Sequence, residues 1–315
     1  MWFAKPEKLH AKGIMGMNHR NISYIGRYNP RTLFPLVDDK LKTKQLALNA
    51  KVTTPELIGV ISHQYEVKGV VDIVKDSPGF CIKPAKGSGG KGILVILRHQ
   101  DGFYYKPNGQ GETPEDLERH VSNILAGLFS LGGKPDVAVI EALINFDDVF
   151  EGYSYEGVPD TRVIVFKGFP VMAMMRLSTA ASDGKANLHQ GAVGVGIDIA
   201  TGHALRAVQY DTPLTTHPDT NKPLDSLKIP HWETLLHLSA SCYEMSGLGY
   251  LGTDMVLDQK KGPMLLELNA RPGLAIQIAN GRGLLPRLRQ IEGLRGHEQM
   301  GIEERILYVK KHFRS

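Results

Sequence analysis

A stretch rich in glycine and lysine restricts the folds that this chain can adopt. The segment IKPAKGSGGKGI at residues 82–93 lies between the apolar runs FCI at 80–82 and ILVIL at 93–97. Short apolar runs on both sides of a glycine cluster are typical of a β-hairpin. Glycine has no Cβ atom, so its backbone N–H groups can approach an anion closely. The pattern predicts a flexible cationic flap between two strands, with a solvated surface hairpin as the alternative.

Other phosphate-binding loops of similar composition do not fit this segment. Residues 87–92 match G-x-G-x-x-G, but the dinucleotide-binding version opens a helix, whereas β-prone residues follow here. A Walker loop ends in Gly-Lys-Ser/Thr, and a protein kinase carries a His-Arg-Asp motif downstream. The sequence contains neither. A hairpin flap remains, in which Lys83 and Lys91 would supply point charges for phosphate oxygens.

A second polar group lies in the sequence LGTDMVLDQKKGPMLLELNARPGL at 251–274, which has the pattern of another hairpin. A turn at residues 260–261 places Asp254 opposite Glu267. Because side chains alternate with a period of two, Asn269 lies on the same strand face as Glu267, and the alternate leucines point into the core.

Carboxylates that face each other across two strands repel, so we expect a positive charge between Asp254 and Glu267. Two carboxylates and an amide oxygen, without His or Cys nearby, are hard ligands that suit magnesium or manganese rather than zinc. The alternative is a surface carboxylate pair neutralised by the lysines of the turn. A bulge at Gly262 would shift the pairing by one residue and turn Asp254 away.

Helix and hairpin patterns fill the rest of the chain. Without regular βαβ alternation, they predict an α+β architecture of antiparallel sheets with helices packed on one side. Residues 1–35 are rich in Asn, Arg, Gly and Pro, which predicts loops and turns or a short helix. The predicted helices begin near 38, 113 and 232, a strand covers 136–144, and hairpins cover 161–178 and 192–209.

Composition excludes several classes of protein. The net charge is +4, with lysine and arginine scattered along the chain, so we expect small or peptidic anionic partners and no nucleic acid. No signal-peptide core and no apolar run of about 18 residues is present, so no membrane segment is expected. Cys81 and Cys242 lie in apolar runs and indicate buried thiols of a reducing compartment. We therefore expect a cytoplasmic protein.

With DDKLKTK, IKPAKGSGGKGI, VIEALI, DTR and GTDMVLD…LLELNARPGL in this order, the chain resembles the ATP-grasp ligases. It is most similar to the alpha-L-glutamate ligase-like group, relatives of the ribosomal-protein glutamate ligases. The resemblance implies an ATP-grasp fold, with two α+β lobes that grip ATP between them. The expected divisions are a short N-terminal segment at 1–37, a first lobe with the flap at 38–143, a second lobe with the metal site at 144–290, and a tail at 291–315.

The resemblance also implies a nucleotide site. Lys44 and Lys83 would contact the α and β phosphates, and the flap would close over the β and γ phosphates. Glu141 and the following backbone would read adenine, while Asp148 would contact the ribose. The full set expected to bind ATP is Lys44, Lys83, Gly87, Ser88, Gly89, Gly90, Lys91, Gly92, Glu141, Ala142, Leu143 and Asp148.

For the metal, the resemblance implies Mg²⁺ or Mn²⁺ bound by Asp254, Glu267 and Asn269. Arg271 would reach the transferring phosphoryl group or the substrate carboxylate. The residues expected near the γ-phosphate and the acceptor are Asp160, Arg162, Arg176 and Asn187. For these four, the structural alternatives are local ion pairs and flexible loops. The residues expected in catalytic roles are Arg162, Arg176 and Arg271.

The implied reaction is ATP-dependent ligation of a carboxylate to an amine. Attack of the carboxylate on the γ-phosphorus gives an acylphosphate and ADP, and an amine then forms the amide. Such a site works by positioning and by neutralising charge. The expected reaction adds an amino acid such as glutamate to the carboxylate of a peptide or protein terminus. The alternatives are a small-molecule kinase on the same fold and a non-catalytic ATP-binding module.

The front of the chain departs from the family pattern. Most of these ligases carry a substrate-binding domain before the first lobe, but here fewer than forty residues precede Asp39. Asn18, Arg20 and Asn21 lie in a short piece crowded with Asn and Arg, and we expect them to bind the acceptor carboxylate or a peptide terminus. Ordinary turn formation by these residue types is an equal alternative.

Overall fold

The computed structural model describes residues 5–87, 89–130, 132–210 and 212–315. The chain groups into two compact units. Unit 1 contains the chain through Val37, Leu46–Thr53 and Phe146–Ser315, and unit 2 contains Asp38–Gln45 and Thr54–Asn145. The architecture is α+β, and the named strands pair in antiparallel fashion, as predicted.

The described helices are numbered in chain order. They are α1 (Pro6–Ala11), α2 (Met17–His19), α3 (Gly26–Tyr28), α4 (Pro35–Asp38), α5 (Lys40–Asn49), α6 (Val70–Val74), α7 (Pro114–Leu125), α8 (Trp232–Ser246), α9 (Ala275–Asn280), α10 (Leu285–Glu292) and α11 (Ile302–His312). A π-helical turn at Arg20–Ile25 joins α2 to α3.

The strands are numbered in the same way. They are β1 (Leu57–Ile61), β2 (Phe80–Pro84), β3 (Leu94–Ile96), β4 (Arg98–Gln100), β5 (Phe103–Tyr105), β6 (Gly111–Glu112), β7 (Ala138–Ala142), β8 (Asp160–Phe166), β9 (Phe169–Leu177), β10 (Val193–Ile197), β11 (Ala204–Gln209), β12 (Thr212–Leu214), β13 (Tyr250–Asp258) and β14 (Gly262–Asn269).

Unit 2 contains a four-stranded sheet in the order β1-β7-β2-β3. The glycine-rich segment connects the paired strands β2 and β3, so the predicted hairpin is confirmed. Helix α7 begins where predicted, because the Thr113 hydroxyl accepts a hydrogen bond from the Asp116 N–H at 3.2 Å. Its apolar positions Leu117, Val121 and Ile124 are fully buried. A small sheet of β4, β5 and β6 between β3 and α7 was not predicted.

Unit 1 contains a seven-stranded sheet in the order β12-β11-β10-β9-β8-β13-β14. Helix α8 covers one face, where the Thr253 hydroxyl donates to Ser239 at 3.1 Å. Helix α9 covers the other face, where a Cβ on Gly196 would lie 2.5 Å from the Ala279 carbonyl oxygen. The prediction that helices pack on one side is therefore wrong for this sheet. Gly196 permits the close approach because it has no side chain.

The pairing of β13 with β14 contains two irregularities that offset each other. Gly262 adopts a left-handed φ of +71° and pairs with Asp258, and this register continues to Met255 opposite Leu265. The register then shifts, so Asp254 pairs with Glu267. The predicted partner of Asp254 is thus correct, although the pairs nearest the turn are displaced. Leu266, which was expected in the core, lies at the shift and is only half-buried.

The N-terminal segment is more helical than its composition predicts. It carries α1 to α4 and the π-helical turn, and its Tyr24 and Ile25 belong to the core of unit 1. In the tail, α11 buries Ile306 and Val309 in the same core. Within the described ranges, no helix is long and apolar enough to cross a membrane.

Candidate functional site

A buried ionic cluster in unit 2 joins Lys44, Lys83 and Glu141. The carboxylate oxygens of Glu141 lie 2.6 Å from the Lys44 Nζ and 2.5 Å from the Lys83 Nζ. Lys83 pairs with Val139 across β2 and β7, which puts Glu141 diagonally across on the same sheet face. Lys44 also donates to the Pro55 carbonyl. Two lysines and one carboxylate leave one net positive charge, which suits an anionic ligand.

The glycine-rich flap is anchored at its base and open at its tip. The Lys40 Nζ donates to the Gly87 carbonyl oxygen at 2.7 Å, and a Cβ on Gly92 would lie 2.4 Å from the Phe129 ring. Gly89 and Gly90 have φ of +64° and +76°, and an added Cβ would meet nothing within 4 Å. Ser88 lies outside the described residues, and Lys91 is exposed. The tip thus offers backbone N–H groups and a lysine to solvent.

The expected hinge residues end strand β7. The Ala142 N–H donates to the Glu56 carbonyl at 2.9 Å, and Leu143 would contact a Cβ added to Gly79. Asp148 belongs to unit 1, where its carboxylate accepts from the Gln259 amide at 2.9 Å. Nearby Cys81 is half-buried, and desolvation by the surrounding atoms raises the pKa of its thiol to about 11. The adenine and ribose roles of Glu141 to Leu143 and Asp148 stay predictions.

In unit 1, the Asp254 carboxylate is held by two arginines from neighbouring strands. The Arg162 Nε and Nη2 donate to its two oxygens at 2.7 and 2.6 Å, and the Arg176 Nη2 lies 2.9 Å away. The Asn269 amide donates to the same carboxylate at 3.3 Å. The positive charge expected beside Asp254 is therefore supplied by guanidinium groups in this structure. Bidentate pairing of this kind fixes the orientation of both partners.

Asp160 extends the cluster, because it pairs with Arg176 through two hydrogen bonds. Burial raises the pKa of Asp160 to about 6, since desolvation outweighs the attraction of Arg176. Burial alone would also raise the pKa of Asp254, but Arg162 and Arg176 together overcome it and lower this pKa to about 2. The two carboxylates share one arginine and differ in their ease of protonation.

The donor set for a divalent cation is present on the same sheet. Glu267 pairs with Asp254 across the strands, and Asn269 follows on the same strand at period two. Carboxylate and amide oxygens suit Mg²⁺, so these residue types fit the ion, although the described residues contain no group of three His, Cys, Asp or Glu side chains that could hold a metal. Since both oxygens of Asp254 accept hydrogen bonds from arginine, a cation there would have to exchange with a guanidinium group.

The remaining predicted residues have local partners. Arg20 donates to the Asn21 side chain and to the Pro272 carbonyl oxygen, and Asn18 is exposed. The Asn187 side chain accepts from the His189 N–H at 3.1 Å and so caps a short turn. The Arg271 guanidinium lies over the Phe34 ring at 5.1 Å from its centroid.

A cavity of about 280 Å³ lies on the sheet face that carries Arg176. Arg176 pairs with Gly194, which pairs with Val208 on the next strand, so these positions share one face. Its walls are mainly apolar, with a histidine and a tyrosine. The lining residues are Leu188, His189, Ala192, Val208, Tyr210, Ala275 and Ile278.

Sequence reasoning missed two residues that hold the flap. Lys40 was detectable, because it lies four residues before Lys44 and therefore shares its helix face. Asp136 carried no signal in the sequence. Its carboxylate accepts from the Lys86 N–H at 3.0 and 3.1 Å and from the Ser130 hydroxyl at 2.5 Å, and it thereby fixes the chain entering the flap.

A family model described as sugar-transfer associated ATP-grasp matches residues 19–293. No match was found among curated proteins. The solved structure of the ATP-grasp ligase PsnB with a minimal precursor is similar, at 12% identity and a TM-score of 0.47, over 84% of this chain and 61% of that one. This chain therefore spans about 61% of the length of PsnB.

Two further solved structures are similar at low identity. D-alanyl-alanine synthetase A from Vibrio cholerae O1 biovar eltor str. N16961 has 9% identity and a TM-score of 0.48, over 89% of this chain and 66% of that one. D-alanine–D-alanine ligase from Bacillus anthracis has 13% identity and a TM-score of 0.44, over 96% and 77%. The family match spans most of the chain and shows the family.

Proposed function

Because the chain belongs to the sugar-transfer associated ATP-grasp family and has the ATP-grasp fold, we propose that it is an ADP-forming carboxylate–amine ligase. The observation that carries the proposal is the sheet face of unit 1, where Asp160, Arg162, Arg176 and Asp254 form one contact network beside Glu267. A face so rich in charge suits a reaction that moves a phosphoryl group. The alpha-L-glutamate ligase-like grouping predicted from sequence is part of this proposal.

In unit 2, Lys44, Lys83 and the flap bind the phosphates of ATP. The cluster of Lys44, Lys83 and Glu141 has one net positive charge, and the flap tip offers backbone N–H groups. Lysine is a compact point charge that can move between Glu141 and a phosphate oxygen. The proposed lobes are residues 38–143 and 144–290, as predicted from the sequence.

In unit 1, Asp254, Glu267 and Asn269 hold a divalent cation, which neutralises phosphate charge when it is bound. Arg162 and Arg176, displaced from Asp254, present guanidinium groups to the anionic reactants. Arg271 contacts the γ-phosphoryl group. These residues orient the reactants and balance charge, and none acts as a nucleophile.

The reaction proceeds in two balanced steps. A carboxylate oxygen of the acceptor bonds to the γ-phosphorus, the bond from this phosphorus to the bridging oxygen breaks, and ADP leaves. The amine then bonds to the acyl carbon, phosphate leaves, and the nitrogen loses a proton. The acceptor is proposed to be the carboxylate of a peptide or protein terminus, and the amine an amino acid such as glutamate. The cavity on the sheet face that carries Arg176 is proposed to hold an apolar part of the acceptor.

Mass spectrometry tests the proposal. The protein is incubated with Mg·ATP, a library of peptides and a pool of amino acids, and a peptide should gain the mass of one amino acid minus water while ADP appears. Glu267→Gln should lose both signals, because a metal ligand is weakened. An amino acid or other small molecule that gains the mass of a phosphoryl group (HPO₃) instead would identify a small-molecule kinase. ATP binding without ADP release under any condition would indicate a non-catalytic module.

A further inference from the structure

The loop that follows β14 makes three successive contacts with the N-terminal segment. The Asn29 Nδ2 donates to the Ala270 carbonyl oxygen at 3.0 Å. The Phe34 ring lies under the Arg271 guanidinium. The Arg20 Nη1 donates to the Pro272 carbonyl oxygen at 2.8 Å. All of these residues belong to unit 1.

We propose that residues 17–34 form a clasp that sets the position of Arg271, with Arg20, Asn29 and Phe34 as positioning residues. The inference rests on the proposed role of Arg271 at the γ-phosphoryl group. The clasp assigns a function to the Asn- and Arg-rich front of the chain that is different from binding the acceptor. It deepens the proposed function, because it names what orients a catalytic side chain.

The Asn29 side chain forms hydrogen bonds with the backbone of both chain segments just beyond the last pair of β13 with β14. The last pair of β13 with β14 is Gly252 with Asn269. Beyond this pair, the Asn29 side chain accepts from the Tyr250 N–H at 2.8 Å and donates to the Tyr250 and Ala270 carbonyl oxygens at 2.6 and 3.0 Å. Asn29 is only 3% exposed, so water cannot replace these bonds. The amide therefore fixes the residue immediately before Arg271.

Arg20 fixes the residue immediately after Arg271. Its Nε and Nη2 both donate to the Asn21 side-chain oxygen, at 3.0 and 2.8 Å, which orients the guanidinium plane. The third nitrogen is then directed at the Pro272 carbonyl. A lysine has no such fork and could not make both contacts. Arg20 opens the π-helical turn, a feature that occurs frequently at functional sites.

Phe34 acts on the Arg271 side chain itself. Arg271 is exposed, and the Phe34 ring is one of the groups that its guanidinium contacts. A ring beneath the guanidinium favours the rotamers that keep this contact. Since a displacement of about 1 Å at a reacting group can lower a rate by about 100-fold, a restriction of this kind affects catalysis.

The segment is held firmly enough to act as a reference for Arg271. Tyr24 and Tyr28 pack edge-on against Phe166, with ring centroids 5.6 and 4.9 Å away. The Tyr28 hydroxyl donates to Glu292 at 2.7 Å, and the Tyr28 carbonyl accepts from the Gly249 N–H at 3.0 Å. The clasp is therefore attached to unit 1 through Phe166, Glu292 and Gly249.

The test compares Asn29→Ala and Phe34→Leu with Asn280→Ala. Asn280 is a matched control, because it is also a buried asparagine whose Nδ2 donates to two carbonyls, those of Ala173 and Ile276, at 2.9 Å each. Two quantities are measured: hydrogen exchange of a peptide covering residues 270–273, and the ratio of Mg·AMP-PNP affinity to Mg·ADP affinity by calorimetry. The ratio reports contact with the γ-phosphate.

We expect Asn29→Ala and Phe34→Leu to speed exchange in residues 270–273 and to lower the affinity ratio about tenfold, with ADP affinity changed less than about twofold. Phe34→Tyr should keep the ratio, because it keeps the ring. Asn280→Ala should keep both quantities even if its melting temperature falls. Unchanged exchange in both clasp variants, or an equal fall of the ratio in Asn280→Ala, would overturn the clasp.

The variant Arg271→Met tests the proposed role of Arg271 at the γ-phosphoryl group separately from the clasp. If it lowers the ratio while the clasp variants do not, the proposed role of Arg271 stands and the clasp is wrong. If Arg271→Met leaves the ratio of Mg·AMP-PNP affinity to Mg·ADP affinity unchanged, the proposed role of Arg271 at the γ-phosphoryl group is wrong. The proposed function of the clasp is then wrong as well. If the wild-type protein binds neither nucleotide, the proposed function fails, and the exchange measurement alone decides whether the segment orders the loop.

Discussion

The buried charge cluster of unit 2 is built from lysine, whereas the cluster of unit 1 is built from arginine. In unit 2, one carboxylate, Glu141, faces two ammonium groups, and the set carries one net positive charge. In unit 1, Asp160 and Asp254 are paired with Arg162 and Arg176, and the four charges balance. The first set favours an anion, whereas the second set has no excess of either sign.

The two clusters also differ in how rigid their contacts are. Arginine binds Asp254 through a planar fork that fixes geometry, while lysine approaches Glu141 as a point charge that can turn toward another anion. The polyphosphate site proposed in unit 2 and the metal site proposed in unit 1 would need these different properties. The comparison predicts that variants in the two units will fail in different ways.

The largest effect is expected for Asp254→Asn. The change keeps the shape but removes the charge that Arg162, Arg176 and a cation share, so product formation should fall by about 100-fold to 1,000-fold. Nucleotide affinity should change less, because unit 2 is untouched. The measurement is the rate of ADP release at saturating ATP.

Asp258→Asn is the matched control, since Asp258 is a buried aspartate on the same strand that accepts from the backbone of the turn. It should keep its rate within about threefold, because its hydrogen bonds to the Lys260 and Lys261 N–H groups hold the turn and contact none of the proposed reacting groups. Equal losses in both variants would mean that the arginine cluster is purely structural.

A smaller effect, on binding rather than rate, is expected for Lys83→Met. Losing one charged contact to a phosphate oxygen weakens binding by about 10-fold to 100-fold. Lys86→Met should change affinity less than about threefold, because the Lys86 side chain is exposed and contacts the Pro135 carbonyl. Calorimetry with Mg·ADP measures both, and equal affinities for the two variants would count against the lysine cluster as a phosphate site.

The contrast between the units also shows what a sequence can reveal. The Asp254–Glu267 pair was predicted correctly because both residues lie on one hairpin, but the turn itself sets a register displaced by one residue, and the shift at Leu266 restores the pair. The second register shift was not, since the sequence contains no signal at Leu266. The bond from Arg162 to Asp254 joins strands β8 and β13, which are distant in sequence and adjacent only in the sheet. Local periodicity contains no information about such neighbours.

The pH dependence of stability tests the protonation of Asp160, whose pKa is raised despite its contact with Arg176. Because the pKa of Asp160 is raised above its ordinary value to about 6, the folded protein takes up this proton more readily than the unfolded chain. Relative to Asp160→Asn, the wild-type protein should therefore gain about 2 kcal/mol of unfolding free energy as the pH falls from about 7 to 4.

The protonation of Asp254 does not contribute to the change expected between about pH 7 and pH 4. Its pKa is lowered to about 2, so its contribution is complete above the ordinary pKa of about 4 and is lost only in more acidic solution. Urea denaturation of both proteins at half-unit pH intervals measures the difference. A difference that stays constant, or that shrinks as the pH falls, would show that Asp160 keeps its charge beside Arg176.

The smallest effect is expected at the flap tip, for Gly90→Ala. Gly90 has a φ of +76°, which an alanine adopts only at a cost of about 1 kcal/mol, and no atom would obstruct the new Cβ. Gly132→Ala is its matched control, with a φ of +77° and equally open surroundings. Both variants should lose similar stability, since the backbone strain is the same.

Only Gly90→Ala should weaken Mg·AMP-PNP binding, by about fivefold, because the strained tip presents its N–H groups less well. Equal affinities in the two variants would show that the flap is a solvated hairpin, and the anion site of unit 2 would then consist of its lysines alone.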